Sequence, residues 1–205
     1  NLFETMNTNI FRAYDIRGHA EKDLDSSTVE KIGYALGLKI KENHSNSVYM
    51  GYDSRLSCQE VKSNLIKGIN AAGVKVVNLG LVPTPLVYYA TKVGDTSNGI
   101  MITGSHNPKD DNGLKMVIND NAISGIEIKE SVKNLGAIPT NNIEMVEHLD
   151  LENKYIEEVL HKVKINKKLK VVLDAGNGAA GILAEKMFNA LGHEVISINK
   201  EPDGN

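Results

Sequence analysis

Residues 103–108 (TGSHNP) place a serine, Ser105, in a polar loop directly after the apolar run 99–103. Ligands of open α/β sheets gather where strands end at their carboxyl edge. A serine hydroxyl needs a base or a charge to become a nucleophile. On a loop near cations it can instead carry a phosphoryl group, because positive charge stabilises the dianion. An ordinary polar turn has the same composition, so both interpretations are open on these residues alone.

Two familiar motifs of nucleophilic or phosphate chemistry do not occur around Ser105. A serine hydrolase needs Gly-x-Ser-x-Gly, whereas positions 103 and 107 hold threonine and asparagine. His106 follows Ser105 directly, and the side chains of adjacent residues diverge. The phosphate-binding motif Gly-x4-Gly-Lys-Ser/Thr is not found in the sequence. These observations count against a hydrolase and against a P-loop kinase.

A glycine motif, Gly176-x-Gly178-x-x-Gly181, follows the apolar run 170–174 and precedes a helical pattern. With Glu201 about 20 residues further on, the spacing is that of a dinucleotide-binding turn. Three glycines also suit a tight strand-to-helix turn with close packing, and Asp174 at the end of the run would repel a pyrophosphate. A dinucleotide-binding oxidoreductase using Gly176–Gly181 is therefore the alternative function.

Arginine is rare in this chain. Of 23 basic residues, three are arginines: Arg12, Arg17 and Arg55. The guanidinium group is a planar fork that matches phosphate oxygens, whereas lysine carries a flexible point charge. Their placement in two short segments favours phosphate binding by those segments. Structural pairing with the neighbouring Asp15 and Asp53 is the other interpretation.

The composition is that of an ordinary soluble globular protein: 205 residues, 41% hydrophobic and 24% charged, with a net charge of −3. The slightly acidic balance argues against a nucleic-acid partner. No apolar run approaches the roughly 18–20 residues that cross a bilayer, so we expect no membrane partner and a cytoplasmic location. The single cysteine, Cys58, excludes an internal disulfide framework and a multi-cysteine metal site.

Strand and helix patterns alternate along most of the chain. Ser-x-x-Glu signatures at Ser27 and Ser57 predict two capped helices, the second ending at Gly73. Residues 9–18 are predicted to be extended chain that runs into a loop, and residues 119–121 a turn. Strands are predicted over 47–52, 74–79, 99–103, 114–118, 170–174 and 194–198, and further helices over 86–93, 125–135, 151–163 and 179–191.

This alternation predicts an α/β fold with a mixed, mainly parallel sheet sandwiched by helices. We expect a first domain over residues 1–150 and the beginning of a second, similar domain over residues 151–205. The second unit shows two strands and one helix, which bury little surface. We therefore expect it to be truncated.

Five segments, in order, resemble the α-D-phosphohexomutase family in its phosphomannomutase/phosphoglucomutase branch. They are residues 11–18 (FRAYDIRG), 51–55 (GYDSR), 103–108 with 112–115 (TGSHNP and NGLK), 172–178 (VLDAGNG) and 201–204 (EPDG). The segments 11–18 and 103–108 with 112–115 are the most specific to this family. Together they favour the mutase over the dinucleotide-binding oxidoreductase.

The resemblance implies that Ser105 is a phosphorylated serine. It would give its phosphoryl group to a hexose 1- or 6-phosphate of glucose or mannose and take one back from the 1,6-bisphosphate. Arg17 and Lys115 would lie beside the transferring group and bind substrate, and Tyr14 would also contact substrate. The implied catalytic residues are Ser105, Arg17, Lys115 and His106, and the other implied loop residues are Thr103, Gly104 and Asn107.

The resemblance also implies Mg²⁺, with an oxygen of the Ser105 phosphate as one ligand. The family's metal loop, Asp-Gly-Asp-Gly-Asp-Arg, does not occur in this sequence, nor do its sugar-recognition and phosphate-binding loops. One phosphate supplies too few ligands for an octahedral site. We therefore expect an N-terminal part of a mutase that is inactive by itself, and the sequence does not distinguish mannose from glucose.

Overall fold

The computed structural model describes residues 6–140 and 143–205. Within them the strands form a seven-stranded sheet, ordered β1-β5-β4-β2-β3-β7 with β6 on β5, and a separate pair, β8-β9. The strands are β1 (Ile16–His19), β2 (Ser47–Tyr52), β3 (Lys75–Leu81), β4 (Gly99–Ile102), β5 (Asp111–Ile118), β6 (Asn121–Ile123), β7 (Val146–His148), β8 (Lys170–Asp174) and β9 (Glu194–Ile198). The helices are α1 (Ala20–Asp23), α2 (Ser26–Glu42), α3 (Cys58–Ala71), α4 (Thr84–Val93), α5 (Gly125–Lys133), α6 (Glu152–Lys162) and α7 (Gly181–Ala190).

The large sheet is mixed and mainly parallel, as predicted. Strands β4, β2, β3 and β7 pair in parallel. Strand β5 is antiparallel to each of its neighbours β1, β4 and β6. Six of the seven strands in the described part of the chain therefore point the same way, and their carboxyl ends meet at one edge, where parallel sheets place their ligands.

Two apolar clusters cover the two faces of this sheet, because successive side chains of a strand point to opposite faces. Val48 and Met50 join a cluster with helices α2, α3 and α5, whereas Tyr49 between them joins a cluster with α4, α6 and α7. Strand β4 is buried throughout, since Ile100 and Ile102 face the first cluster and Met101 the second. The predicted helix–sheet–helix sandwich is confirmed.

The second cluster also joins the β8-β9 unit to the rest of the molecule. Ile156 of α6 and Leu183 of α7 are buried together with Val87 and Met101. An ion pair between Lys186 and Glu152 supports the same contact. The predicted second unit is thus packed against the first through a shared apolar cluster.

Helix capping differs from the sequence prediction. Asp25, and not Ser27, caps α2, and its carboxylate accepts a hydrogen bond from the Thr28 backbone N–H at 3.0 Å. Helix α3 follows Ser57 as predicted, but the Ser57 side chain forms no cap bond. Its hydroxyl accepts a bond from the Asn112 side chain at 2.9 Å instead. The predictions of a capping box at Ser27 and Ser57 were wrong.

Five short elements were not predicted from the sequence. The segment 9–18, predicted as extended chain and loop, contains the start of β1 after a turn of 3₁₀ helix at Thr8–Ile10. Helix α1 and strands β6 and β7 were also missed. The predicted turn is confirmed, because Asn119 and Asp120 have φ values of 51° and 64° and connect β5 to β6. Among the described residues, no helix is long and apolar enough to cross a membrane.

Candidate functional site

The candidate site lies in a cleft at the carboxyl edge of β2, β3 and β4. The cleft has a volume of about 430 Å³ and lies between the loop that follows β4, named here the Ser105 loop (residues 103–110), and the glycine turn that follows β8. Ser105, Arg55 and Thr84 line it from the first unit, and Asn177 and Gly178 from the second. The structure thus brings the two motifs singled out in the sequence to opposite walls of one cleft.

Ser105 is held in an uncommon backbone conformation. Its φ is 56°, in the left-handed region, and its side chain is exposed. A non-glycine residue adopts this region at a cost of about 1–2 kcal/mol, so the surrounding contacts must compensate. One of them is the bond from the Ser105 backbone N–H to the Thr103 hydroxyl at 2.8 Å.

Asp53, which directly follows β2, fixes the base of the Ser105 loop. One carboxylate oxygen accepts a bond from the Thr103 hydroxyl at 2.7 Å and from Nε of Arg55 at 3.3 Å. The other accepts from the Arg55 backbone N–H at 3.1 Å and from the Cys58 thiol at 3.2 Å. One side chain thus connects the loop after β2, the loop after β4 and the start of α3.

Arg55 lies under the Ser105 loop, with its side chain 11% exposed. Its two terminal nitrogens donate to the carbonyl groups of Ser105 at 2.9 Å, Asn107 at 2.8 Å and Asp111 at 2.9 Å, and also to that of Pro108. With the bond from Nε to Asp53, all five N–H groups of the guanidinium are used. Of the two interpretations of Arg55, structural pairing is the one the contacts support.

Gly104 is required by the close approach of Arg55. A Cβ at position 104 would lie 2.3 Å from the central guanidinium carbon. The loop backbone therefore rests directly on the guanidinium, and any side chain at this position would displace it.

Arg17 reaches the Ser105 loop from β1. Its guanidinium donates to the Asp15 carboxylate at 2.6 Å and to the Asn107 side-chain oxygen at 3.1 Å. Its side chain is 28% exposed. Its other N–H groups have no acceptor among the described residues, so this arginine, unlike Arg55, retains donors for an anion.

Lys115 lies on the same sheet face as Arg17. Arg17 on β1 lies opposite Gly113 on β5, and residues opposite each other share a face. Lys115 is two residues after Gly113 on the same strand, so it points to that face too, opposite Met101 of β4. Lys115 is half-buried and forms no hydrogen bond or ion pair with any residue in the described part of the chain. A partly desolvated ammonium group without a protein partner is suited to bind an anion.

The other predicted site residues are more loosely placed. Tyr14 is 89% exposed, in the turn closed by a bond from the Arg12 backbone N–H to the Asp15 carbonyl. His106 is exposed and has no hydrogen-bond partner among the described residues. Asn107 is bonded to Arg17, as described above, and its side chain donates to Asp111 at 3.3 Å. The described contacts therefore tie Asn107, but not Tyr14 or His106, to the cations of the site.

The glycine turn after β8 does not offer a pyrophosphate site. Its backbone N–H groups donate within the chain, from Gly176 to Asp174 at 3.0 Å and from Asn177 to the carbonyl of Asn199 at 2.7 Å. The Gly176 N–H and the Asn199 side chain hold the pKa of Asp174 below its ordinary value, which keeps a negative charge at the turn. A Cβ at Gly181 would lie 2.1 Å from the Lys200 carbonyl oxygen. These glycines serve close packing, so the contacts do not support the dinucleotide alternative.

The described residues do not fit a complete magnesium site. Nowhere in residues 6–140 and 143–205 do three or more His, Cys, Asp or Glu residues lie together so as to hold a metal ion. Two carboxylates that contact the Ser105 loop are already bonded within the chain, since Asp53 binds Thr103 and Arg55, and Asp111 accepts from Asn107.

Cys58 is a part of the site that the sequence did not reveal. Its thiol is buried and also accepts a hydrogen bond from the Asn112 side chain at 3.4 Å. Burial, followed by the nearby Asp53 carboxylate, raises the pKa of the thiol to about 12. Cys58 therefore stays protonated and serves as a donor to Asp53. Its only signal in the sequence was its place three residues after Arg55.

Comparison with known proteins identifies the class to which this fold and site belong. The sequence model of the family described as phosphoglucomutase/phosphomannomutase, alpha/beta/alpha domain I, matches residues 8–137. The chain therefore belongs to the phosphoglucomutase/phosphomannomutase family, and the predicted family is confirmed.

Individual relatives agree with this family and are much longer. The chain is 43% identical over 200 residues to the phosphomannomutase/phosphoglucomutase of Pseudomonas putida, covering 96% of this chain and 42% of the relative. It is 36% identical over 199 residues to the phosphoglucomutase of Neisseria gonorrhoeae, covering 96% and 43%. A crystal structure of a phosphoglucomutase/phosphomannomutase family protein from Burkholderia thailandensis has a TM-score of 0.88 at 38% identity, covering 98% of this chain and 46% of that one. The chain thus spans less than half the length of these relatives.

Proposed function

We propose that this chain supplies the phosphoserine part of the active site of a phosphohexomutase, an isomerase that interconverts hexose 1- and 6-phosphates. The observation that carries the proposal is the setting of Ser105. It is exposed in a left-handed conformation on a loop that Arg55 and Asp53 hold from below, while Arg17 bonds to the same loop. The names of the relatives support the same reaction class.

The proposed reaction transfers a phosphoryl group twice. In the first step a free hydroxyl of a hexose monophosphate attacks the phosphorus of phosphorylated Ser105. The bond from phosphorus to Ser105 Oγ breaks, a bond to the sugar oxygen forms, and the proton lost by the sugar hydroxyl is balanced by one taken up at Ser105 Oγ. The resulting hexose 1,6-bisphosphate then turns round and returns its other phosphoryl group to Ser105.

Arg17 and Lys115 are the cations proposed to stabilise this transfer. Both carry positive charge without a full set of protein acceptors, and they share the sheet face described above. Fixed positive charge beside the transferring oxygens is the main source of rate enhancement in phosphoryl transfer. Tyr14, exposed at the end of its turn, is proposed to contact the sugar, and His106 to line the loop on the substrate side.

Mg²⁺ belongs to the proposal for the whole enzyme. An oxygen of the Ser105 phosphate would supply one ligand, and the bound ion would neutralise charge on the transferring phosphate. The described residues of this chain do not supply the remaining ligands, so none of the steps above depends on them.

We also propose a domain boundary near residue 150. The family model for the first domain ends at residue 137, and β7 at Val146–His148 still pairs with β3 of the large sheet. The paired strands β8 and β9 form a sheet of their own. These observations support domains over residues 1–150 and 151–205, joined through α6.

A chimera tests the proposed function. In the Pseudomonas putida relative, this chain would replace the corresponding 42% of the protein. We expect the chimera to interconvert glucose 1- and 6-phosphates, or the mannose equivalents, and the Ser105→Ala chimera to lose that activity. The 205-residue chain assayed alone is the matched control and should show no interconversion. A Ser105→Ala chimera as active as its parent, or a folded but inactive parent chimera, would contradict the proposal.

A further inference from the structure

We propose that Arg55 is the positioning residue for Ser105. It does not contact the reacting atoms; its guanidinium fixes the backbone of the Ser105 loop, so that Ser105 keeps its exposed, left-handed conformation. This inference rests on the proposed role of Ser105 as a phosphoryl carrier and adds the residue that presents it.

The donors of Arg55 match the acceptors around it. A guanidinium has five N–H groups in a rigid planar fork, and Arg55 uses them on four backbone carbonyls and one carboxylate oxygen of Asp53. Three of the carbonyls belong to residues 105, 107 and 108 of the Ser105 loop, and the fourth belongs to Asp111, the first residue of β5. Carbonyl oxygens that converge on one point repel one another, and a cation placed between them offsets this repulsion because it attracts each oxygen.

The Ser105 loop needs a restraint. A serine in the left-handed region is strained and persists only where the surroundings over-determine its conformation. The Ser105 carbonyl is one acceptor of Arg55, and the Ser105 N–H is fixed by Thr103. Both backbone groups of Ser105 are therefore hydrogen-bonded. Their partners, Thr103 and Arg55, both donate to the Asp53 carboxylate.

Lysine cannot replace this arginine. An ammonium group has three donors around one point, whereas the acceptors of Arg55 are reached by three different nitrogens. Arg55→Lys keeps the positive charge but removes the planar fork of donors. It therefore separates positioning from simple electrostatic attraction.

Arg12 provides the matched control. It is exposed, and its side chain forms no hydrogen bond or ion pair with any residue in the described ranges. Arg12→Lys is the same chemical change at a site without the fork of acceptors.

The test uses the 205-residue chain with phosphoserine inserted at position 105 during translation. The second ionisation of a free phosphoserine has a pKa of about 6. Phosphorus NMR titration measures this pKa in the parent chain, in Arg55→Lys and in Arg12→Lys. If Arg17 and Lys115 face the phosphate, the parent value lies lower by about one unit, because nearby positive charge favours the dianion. Arg55→Lys returns it toward about 6, and Arg12→Lys leaves it low.

Amide hydrogen exchange provides the second readout. In Arg55→Lys the amides of Ser105 and Asn107, which are bonded within the loop, exchange at least about tenfold faster. Those of Ile100 and Ile102 in β4 stay protected, which establishes that the sheet is folded. If Arg55→Lys does not fold, hydrogen exchange is measured on Asp53→Asn instead, since that change weakens the anchor of Arg55 and should also speed exchange of the Ser105 and Asn107 amides.

The outcomes separate the two proposals. A low phosphate pKa in the parent that is unchanged in a folded Arg55→Lys chain, with unchanged loop exchange, would overturn the positioning role and leave the proposed function standing. A parent pKa near that of free phosphoserine would count against the proposed function itself, and the positioning role would fall with it.

Discussion

The backbone N–H of Ser105 donates to the hydroxyl of Thr103 at 2.8 Å, and that hydroxyl donates in turn to the Asp53 carboxylate at 2.7 Å. Thr103 is therefore both acceptor and donor in a series of hydrogen bonds that connects Asp53, directly after β2, to Ser105. Because Thr103 is buried, removing its hydroxyl leaves the Ser105 N–H without its acceptor and takes one donor away from Asp53.

Thr103→Val is expected to destabilise the chain by about 1–3 kcal/mol, the usual cost of an unsatisfied buried polar group. Thr103→Ser keeps the hydroxyl and should cost less than about 1.5 kcal/mol, the value of a lost methyl group. Urea unfolding of the two variants checks this. Equal losses in both would show that the methyl group, and not the hydrogen bond, is what matters at this position.

Gly104→Ala is expected to destabilise by about 1–3 kcal/mol, the usual range for overpacking, since its Cβ would lie 2.3 Å from the Arg55 guanidinium carbon. Gly136→Ala is the matched control, because a Cβ there meets no atom within 4 Å. That change should be neutral or stabilising by up to about 1 kcal/mol. Urea unfolding measures both, and a Gly104→Ala chain as stable as the Gly136→Ala chain would contradict the close contact.

In the chimera described above, Lys115→Met is expected to slow phosphorylation of Ser105 by hexose 1,6-bisphosphate about 100- to 1,000-fold, because it removes one positive charge from the proposed transfer site. Lys67→Met is the control, since Lys67 is exposed on α3, on the opposite side of the sheet. Intact-mass measurement over time gives both rates. Identical rates for the two variants would remove Lys115 from the site.

The stability of the chain is expected to fall at alkaline pH because of Cys58. The folded pKa of its thiol is raised to about 12, from about 9 in the unfolded chain. Between these values the folded chain holds a proton that the unfolded chain has released. The contribution is therefore full below about pH 9 and is lost as pH rises toward 12, by up to about 1.4 kcal/mol per pH unit.

Comparison of the parent with Cys58→Ala isolates this effect, since other alkaline titrations are common to both. The free energy of unfolding should fall more steeply for the parent between about pH 9 and about pH 10.5. Parallel curves would mean that the thiol ionises equally in both states.

Local pattern was sufficient to predict much of the fold and the location of Ser105. The continuous apolar run at 99–103 predicted β4, and the polar residues after it predicted a loop at the carboxyl edge. The glycines of the second motif were predicted as a tight turn or a cofactor site, and the bonds of Asn177 and the packing of Gly181 favour the turn.

Long-range contacts explain what the sequence could not predict. Arg55 donates to carbonyl groups 50 and 52 residues away, and no local pattern indicates which arginine binds the backbone and which keeps free donors. Strand β7 has three residues and depends on its pairing with β3. The cap of α2 was assigned wrongly because aspartate and serine are both good N-caps. Asp25 and Ser27 lie only two residues apart, and the residue at which the helix begins decides which of them is the cap.

The central claim is that Ser105 is the phosphoryl carrier, and mapping of the phosphorylated residue tests it most directly. The Pseudomonas putida chimera described above would be incubated with glucose 1,6-bisphosphate or mannose 1,6-bisphosphate, digested and analysed by mass spectrometry, with its Ser105→Ala form alongside. We predict one phosphoryl group on the peptide that contains Ser105 and none in Ser105→Ala. Phosphorylation on another residue, or equal uptake by Ser105→Ala, would contradict the claim.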